Sequence, residues 1–313
     1  METLIVSLLN GTIYGLLLFM VSAGLTLIFG MMGVLNFAHA SFYMLGAYFA
    51  YSLQGVIGFW AAIVVSPLLV GGVGVVVERF FLRRVHAHGH AHELLLTFGL
   101  SFIIAELVKL FFGNYPVNYQ IPKSLDFSAF TIGVTQYPVY RVFMGVVAVA
   151  MFVLIYLLLT RTRVGIVVRS AIYKPRMAEA LGHNVPLVFM GVFGVGAALA
   201  GLAGAVAGAF YTTNPNMAIE LGVMVFVVVV VGGLGSLEGA MLASLLIGVI
   251  TSMAVAVDAT LADAFALVGA RAWAESIGGL LTLKVSSLAA TIPFALMLLI
   301  LLVRPRGLLG EKS

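Results

Sequence analysis

Leu4–Phe29 reads L-I-V-S-L-L-N-G-T-I-Y-G-L-L-L-F-M-V-S-A-G-L-T-L-I-F and contains no charged side chain. A helix crosses the hydrocarbon core of a bilayer in roughly 20 mainly apolar residues, so this run is long enough to span. It does not read as a cleaved leader, because Met1 and Glu2 supply no positively charged start and the apolar run is too long for one. Comparable runs follow at Leu35–Leu53, Gly58–Phe81, Leu94–Phe112, Val139–Leu159, Leu187–Phe210, Leu221–Leu234, Ala240–Val257 and Leu288–Val303. The Leu221–Leu234 run is short, and the amphipathic stretch Asp258–Ser287 has room for one more short helix. The expected fold is therefore an all-α, polytopic transmembrane bundle of about 8–10 spans.

Composition gives the same reading. Of the 313 residues, 62% are apolar and 9% are charged, against about 45–50% and about 25% in soluble domains. Too few charges are present to build a water-facing surface. Cysteine is absent, which removes disulfides and thiolate metal sites from consideration. No basic stretch interleaved with aromatics suggests contact with nucleic acid. No Pro- or Ser-rich linker divides the chain, so residues 1–313 are read as one domain.

Eleven of the 16 Lys and Arg residues gather in three places, Arg79, Arg83 and Arg84, then Arg161, Arg163, Arg169, Lys174 and Arg176, then Arg304, Arg306 and Lys312, leaving Lys109, Lys123, Arg141, Arg271 and Lys284 elsewhere. Cytoplasmic loops carry such an excess. With nine spans all three clusters fall on one side, which puts the amino terminus outside and the carboxyl terminus inside. The loop Gly113–Pro138, with Pro116, Pro122, Asn114 and Asn118, then lies outside as an ordered connection.

Two Gly-rich breaks interrupt the apolar pattern near the cytoplasmic side, Gly30–His39 and Gly232–Gly239 (G-G-L-G-S-L-E-G). Broken helices at membrane depth are tolerated where they are buried in protein or line a wet cavity. The candidate pathway residues are accordingly Asn36, His39, Ser41 and Tyr43 with Gly232, Gly233 and Gly235; two tight turns are the plainer alternative. Small residues at Gly196, Ala200, Gly204 and Gly208 recur every fourth position, the spacing of a close helix-packing seam in lipid, and Gly11 and Gly15 repeat it. Glu106 and Lys109 lie three apart and neutralise each other. The histidines at 86, 88, 90 and 92, ahead of Glu93, invite a metal reading, but they form no familiar ligand framework and H-E-x-x-H is absent. Neither a metal nor another cofactor is expected. The phosphate-binding G-x-x-x-x-G-K-[ST] and the hydrolase G-x-S-x-G are absent too, which argues against an enzyme.

Five stretches, Leu25–Gly46, Leu95–Leu107, Arg161–Gly182, Val227–Gly239 and Arg304–Gly310 (R-P-R-G-L-L-G), resemble, in order, the smaller (H-type) permease of the branched-chain amino acid ABC importers. The resemblance implies a heterodimer with a second homologous permease, two cytoplasmic ATPases that supply the energy, an extracytoplasmic binding protein that delivers substrate, and a bacterial or archaeal cytoplasmic membrane. The same family includes permeases for other amino acids, amides, urea and small carboxylates. The histidine run departs from the polar, basic stretch expected there.

Within residues 161–186 the sequence predicts a short helix with Pro175 in its first turn, Met177, Ala178 and Leu181 sharing an apolar face, and a stop at Gly182–Asn184. The resemblance makes Arg169, Met177, Ala178, Glu179, Ala180, Leu181 and Gly182 the ATPase-coupling residues. The competing readings are a carrier or channel that works alone, and a membrane-embedded metalloenzyme using the histidine run.

Overall fold

A computed structural model describes residues 2–86, 88–257, 259–265, 269 and 271–310. Met1, Asp258 and Lys312, used in the sequence readings above, lie outside the described residues. Helix α1 (Glu2–Met32) is followed by α2 (His39–Ile57) and α3 (Phe59–Val77), and α3 continues through a π-helical segment, Glu78–Leu82, into α4 (Arg83–His86). Next come α5 (His90–Phe112), a hairpin of β1 (Ser128–Ile132) and β2 (Thr135–Pro138), and α6 (Val139–Arg161). Two short helices, α7 (Arg163–Tyr173) and α8 (Pro175–Ala180), lead into α9 (Val185–Ala207), α10 (Met217–Gly232) and α11 (Leu237–Ala256). The chain closes through α12 (Leu261–Phe265), α13 (Arg271–Ile277) and α14 (Ile292–Val303).

Among the described residues seven helices are long and apolar enough to cross a membrane: Glu2–Met32, Phe59–His86, His90–Phe112, Val139–Arg161, Val185–Ala207, Leu237–Ala256 and Val285–Val303. Helix α10 is shorter, and α2 is a 19-residue helix whose first half is packed inside the bundle. At 1.5 Å per residue α1 is about 46 Å long, more than a hydrocarbon core of about 30 Å requires. It runs past the expected end at Phe29, and Gly30 within it packs against the backbone of Gly235, where a side chain would not fit. The hairpin was not foreseen in an all-α reading. It turns at Gly133, at φ +58°, and the Glu2 carboxylate accepts the Val134 N–H at 2.9 Å.

Small residues set the packing. Helix α11 runs along α1 where Gly11 and Gly15 meet Gly248 and Ser244 backbone to backbone. Helix α9 is central: Gly196 lies against Gly24 and Ile28 of α1, Gly204 and Gly208 against Tyr43 and Ala47 of α2, and Gly194 and Gly201 against Val75 and Val70 of α3. Ala200 is fully buried on the same helix. At the far end of α9 the free carbonyls of the last turn are taken by the hydroxyls of Tyr119 (to Ala205, 2.7 Å) and Tyr140 (to Val206, 2.6 Å). Tyr119 brings the 113–138 loop onto this end, together with Glu2.

The opposite end carries the termini of α1, α3 and α10, the start of α9 and the tail. Here α10 stops at Gly233, at φ +106°, and its carbonyls at Val231 and Gly232 accept the N–H groups of Leu308 (2.8 Å) and Leu309 (3.0 Å). The R-P-R-G-L-L-G tail and the second break are thus one junction. A Cβ at 233 would sit 2.5 Å from the Gly310 nitrogen. Gly233→Val is therefore expected to dislodge the tail, at a cost of about 2–4 kcal/mol from strain and the two lost hydrogen bonds. The measurement is faster proteolysis of the carboxyl-terminal tail and a lowered Tm; an unchanged digestion rate would speak against the junction.

Candidate functional site

The first break builds a cavity. From Gly33 the chain leaves the helix, and Asn36 organises the restart: its Oδ1 accepts the Ala38 N–H at 3.0 Å and its carbonyl accepts the His39 N–H at 3.2 Å. Asn, able to bond its own downstream backbone, suits such a start. Helix α2 then begins deep in the bundle. A cavity of about 330 Å³ opens beside it, lined by Asn36, His39 and Ser41 together with residues of α1, α5 and α10.

The wall is mostly apolar and aromatic. Phe37 meets Phe98 of α5 edge-on at 6.2 Å and stacks on Phe226 of α10 at 6.4 Å. Two buried polar atoms of the lining residues have no partner, Asn36 Nδ2 and His39 Nδ1. The other imidazole nitrogen, Nε2, lies 2.8 Å from the Val21 carbonyl. A carbonyl only accepts, so Nε2 holds a proton, and in the neutral ring Nδ1 is then an acceptor. Asn36 thus holds an unpaired donor and His39 an unpaired acceptor, both buried within the wall of a mostly apolar cavity whose size is that of small-ligand pockets, about 300–1,000 Å³.

Of the candidate pathway residues, Tyr43, Gly232, Gly233 and Gly235 do not line this cavity. Tyr43 is one turn further along α2, with its carbonyl against Gly204. Gly232 and Gly233 belong to the tail junction, and Gly235, at φ +86°, packs on the backbone of Gly30 in α1. Phe37 lies within the first break that the sequence marks, whereas Phe98, Phe102 and Phe226 carry no such mark. Phe98 and Phe102 are four apart on one helix face, the only signal that the sequence carried.

At the same end α7 and α8 form a capped pair. Thr162 caps α7 by accepting the Gly165 N–H at 3.2 Å, and the Arg169 Nε donates to the Gly165 carbonyl at 3.3 Å. Helix α8 starts with Pro175 at its first position and ends with Gly182 at φ +86°. There the His183 N–H bonds the Ala178 carbonyl (3.0 Å) and the Gly182 N–H the Glu179 carbonyl (2.9 Å), a complete glycine C-cap. The expected shared face divides. Ala178 is buried against Ala171 and Val185, since only a small side chain lets α8 lie that close, whereas Met177 (59% exposed) and Leu181 (77%) point outward one turn apart. Glu179 and Ala180 are exposed beside them.

The histidine run divides as well. His86 ends α4 and His90 begins α5, and both Nδ1 atoms face the buried carboxylate of Glu93, His86 at Oε1 and His90 at Oε2 (3.1 Å). His88 and His92 are exposed and contact each other, with ring centroids 5.7 Å apart. Among the described residues no group of three or more His, Asp or Glu side chains could hold a metal ion. His88→Ser with His92→Ser is expected to leave uptake within twofold of wild type in a transport assay, because neither ring supports a buried group. A tenfold loss would require a role for the exposed pair.

The family described as branched-chain amino acid transport system / permease component matches residues 7–301. Among curated relatives, LivH of Salmonella typhimurium, a high-affinity branched-chain amino acid transport system permease protein, is 27% identical, with 97% of this chain and 94% of that one covered. BraD of Pseudomonas aeruginosa, described in the same words, is 27% identical over 98% and 95%. A probable branched-chain amino acid transport permease, LivH of Methanocaldococcus jannaschii, is 27% identical over 77% and 78%. A looser likeness is to a solved structure, PsaBC from Streptococcus pneumoniae in complex with Fab, at 13% identity and a TM-score of 0.47, over 95% of this chain and 91% of that one.

Proposed function

Since the chain belongs to the family of branched-chain amino acid transport system permease components, we propose that it carries branched-chain or closely related amino acids through the cavity at Asn36, His39 and Ser41. It does so in a heterodimer with a second, related permease. Two cytoplasmic ATPases dock on residues 161–186, and a binding protein delivers substrate at the opposite end. The membrane is the bacterial or archaeal cytoplasmic membrane. The end carrying the three basic clusters faces the cytoplasm, in line with the positive-inside tendency, which leaves Glu2 and the hairpin outside.

The observation that carries the substrate reading is the cavity's chemistry. Its aromatic wall suits an aliphatic side chain, and the positive start of α2 at the polar lining residues Asn36, His39 and Ser41 suits a carboxylate. The open side of the cavity is rimmed by Phe98 (51% exposed), Phe102 and Ile219, and further along α5 the exposed Glu106–Lys109 pair (2.7 Å) is poorly suited to lipid. This is the face we assign to the second permease.

The test is reconstitution in proteoliposomes with the neighbouring permease, ATPases and binding protein. ATP-dependent uptake of leucine, isoleucine or valine, lost in Asn36→Leu, supports the reading. Uptake by this chain alone without ATP would replace it with the stand-alone carrier.

A further inference from the structure

Between the α8 region and the cavity, three side-chain contacts and two single helical turns form a continuous path. At its outer end Arg83 of α4 donates to the Pro186 carbonyl in the first turn of α9, at 2.8 Å. That turn is fixed to α8 through the packing of Ala178 on Val185. Arg83 also pairs with the buried Glu78 carboxylate at 3.5 Å, which holds its guanidinium in place. One turn along α4, His86 bonds Glu93 of α5. One turn along α5, the Thr97 Oγ1 accepts the Phe37 N–H at 3.3 Å, in the break that walls the cavity. Thr97 is fully buried, and its own hydroxyl donates to the Leu94 carbonyl at 3.1 Å.

Glu93 is the member hardest to account for by packing. A carboxylate taken out of water costs several kcal/mol unless its oxygens are bonded, and here each oxygen receives one imidazole from the α4–α5 corner. Replacing the whole arrangement by apolar side chains would hold a corner together as well. What the arrangement adds is directional attachment: a displacement of α4 is passed to α5 through short polar contacts, not through side chains free to slide. His90 reinforces the corner from the other side, standing beside Gly33, where a Cβ would be 3.8 Å from its Cε1.

We propose that Glu93 is a positioning residue for transport: it links movement of the docking segment, through Arg83 and His86, to Thr97 and the Phe37 wall of the cavity. The proposal rests on the docking and cavity assignments above. Its measure is therefore uptake per ATP hydrolysed in complexes that have already formed, whereas docking is measured separately by ATPase co-purification.

In the full reconstituted transporter, Glu93→Ala is expected to retain its ATPases and hydrolyse ATP while uptake per ATP falls about tenfold. Thr97→Val is expected to do the same, and Thr97→Ser, which keeps the hydroxyl, to restore coupling. Combining Arg83→Ala with Thr97→Val should lose no more than the worse single variant, as members of one path do. Should Glu93→Ala fail to assemble, the Thr97 pair and the Arg83 combination decide. Wild-type uptake per ATP in Thr97→Val, or losses that multiply in the double variant, overturns the proposal.

Discussion

Gly204→Leu is expected to abolish assembly of the protein. A Cβ at 204 would collide with the Tyr43 carbonyl oxygen and lie 2.9 Å from the Ala47 nitrogen, both backbone atoms of α2. Neither can swing aside as a flexible side chain would, so α2 and α9 must separate. Separation also opens the contact a turn away, where a Cβ on Gly46 would lie 2.5 Å from the Gly201 Cα. Overpacking a close-fitted site costs about 3 kcal/mol or more, out of a total stability of about 5–15 kcal/mol. Lipid exerts no hydrophobic drive to push the two helices back together, so the lost dispersion contacts go uncompensated. The check is the yield of monodisperse protein after detergent extraction. Gly191→Leu, on the same helix but with no described atom outside its own stretch of helix within 4 Å of its Cβ position, is the control and is expected to extract normally. Equal yields for the two variants would show that the seam tolerates bulk.

Leu181→Asp is expected to leave folding intact and remove transport. The side chain is 77% exposed, and substitutions at such positions change stability by about 0.5 kcal/mol or less. Met177 and Leu181 present two apolar groups to the outside one helical turn apart, the pattern of a helix that seats in a partner's groove. A buried carboxylate in that groove would cost several kcal/mol, enough to weaken association with the ATPases at least a hundredfold. Glu179→Lys tests the same face by reversing a charge. Co-purification of the ATPases and uptake in proteoliposomes provide the readout. Wild-type values for both variants, in correctly inserted protein, would leave residues 161–186 as a basic loop that only sets topology.

The first break was legible to within a few residues: the glycines at 30 and 33 and the Asn36 that restarts the helix are local signals. The hairpin at 128–138 was not, because strands of five and four residues are too short for a period of two to stand out. The capped helix α8 was legible from Pro175 and Gly182, but not which way it faces. Ala178 turns inward only because Ala171 and Val185 are there to receive it. The two Gly-rich breaks looked alike in sequence and turn out different in kind, one walling a cavity and the other seating the carboxyl-terminal tail.

The sequence by itself determined that the chain lives in lipid, where its apolar helices lie, where they break, and which connections carry the positive charge. Each of these follows from transfer free energies and backbone preferences that a residue carries with it wherever it is placed. Only the tertiary structure decided which glycines meet, which residues line the cavity, and that half of the histidine run holds a buried carboxylate. Those depend on partners remote along the chain, Gly11 on Gly248, Phe37 on Thr97 and Arg83 on Pro186. A contact between two helices takes its strength from the shape of both, and neither sequence segment contains the other's surface.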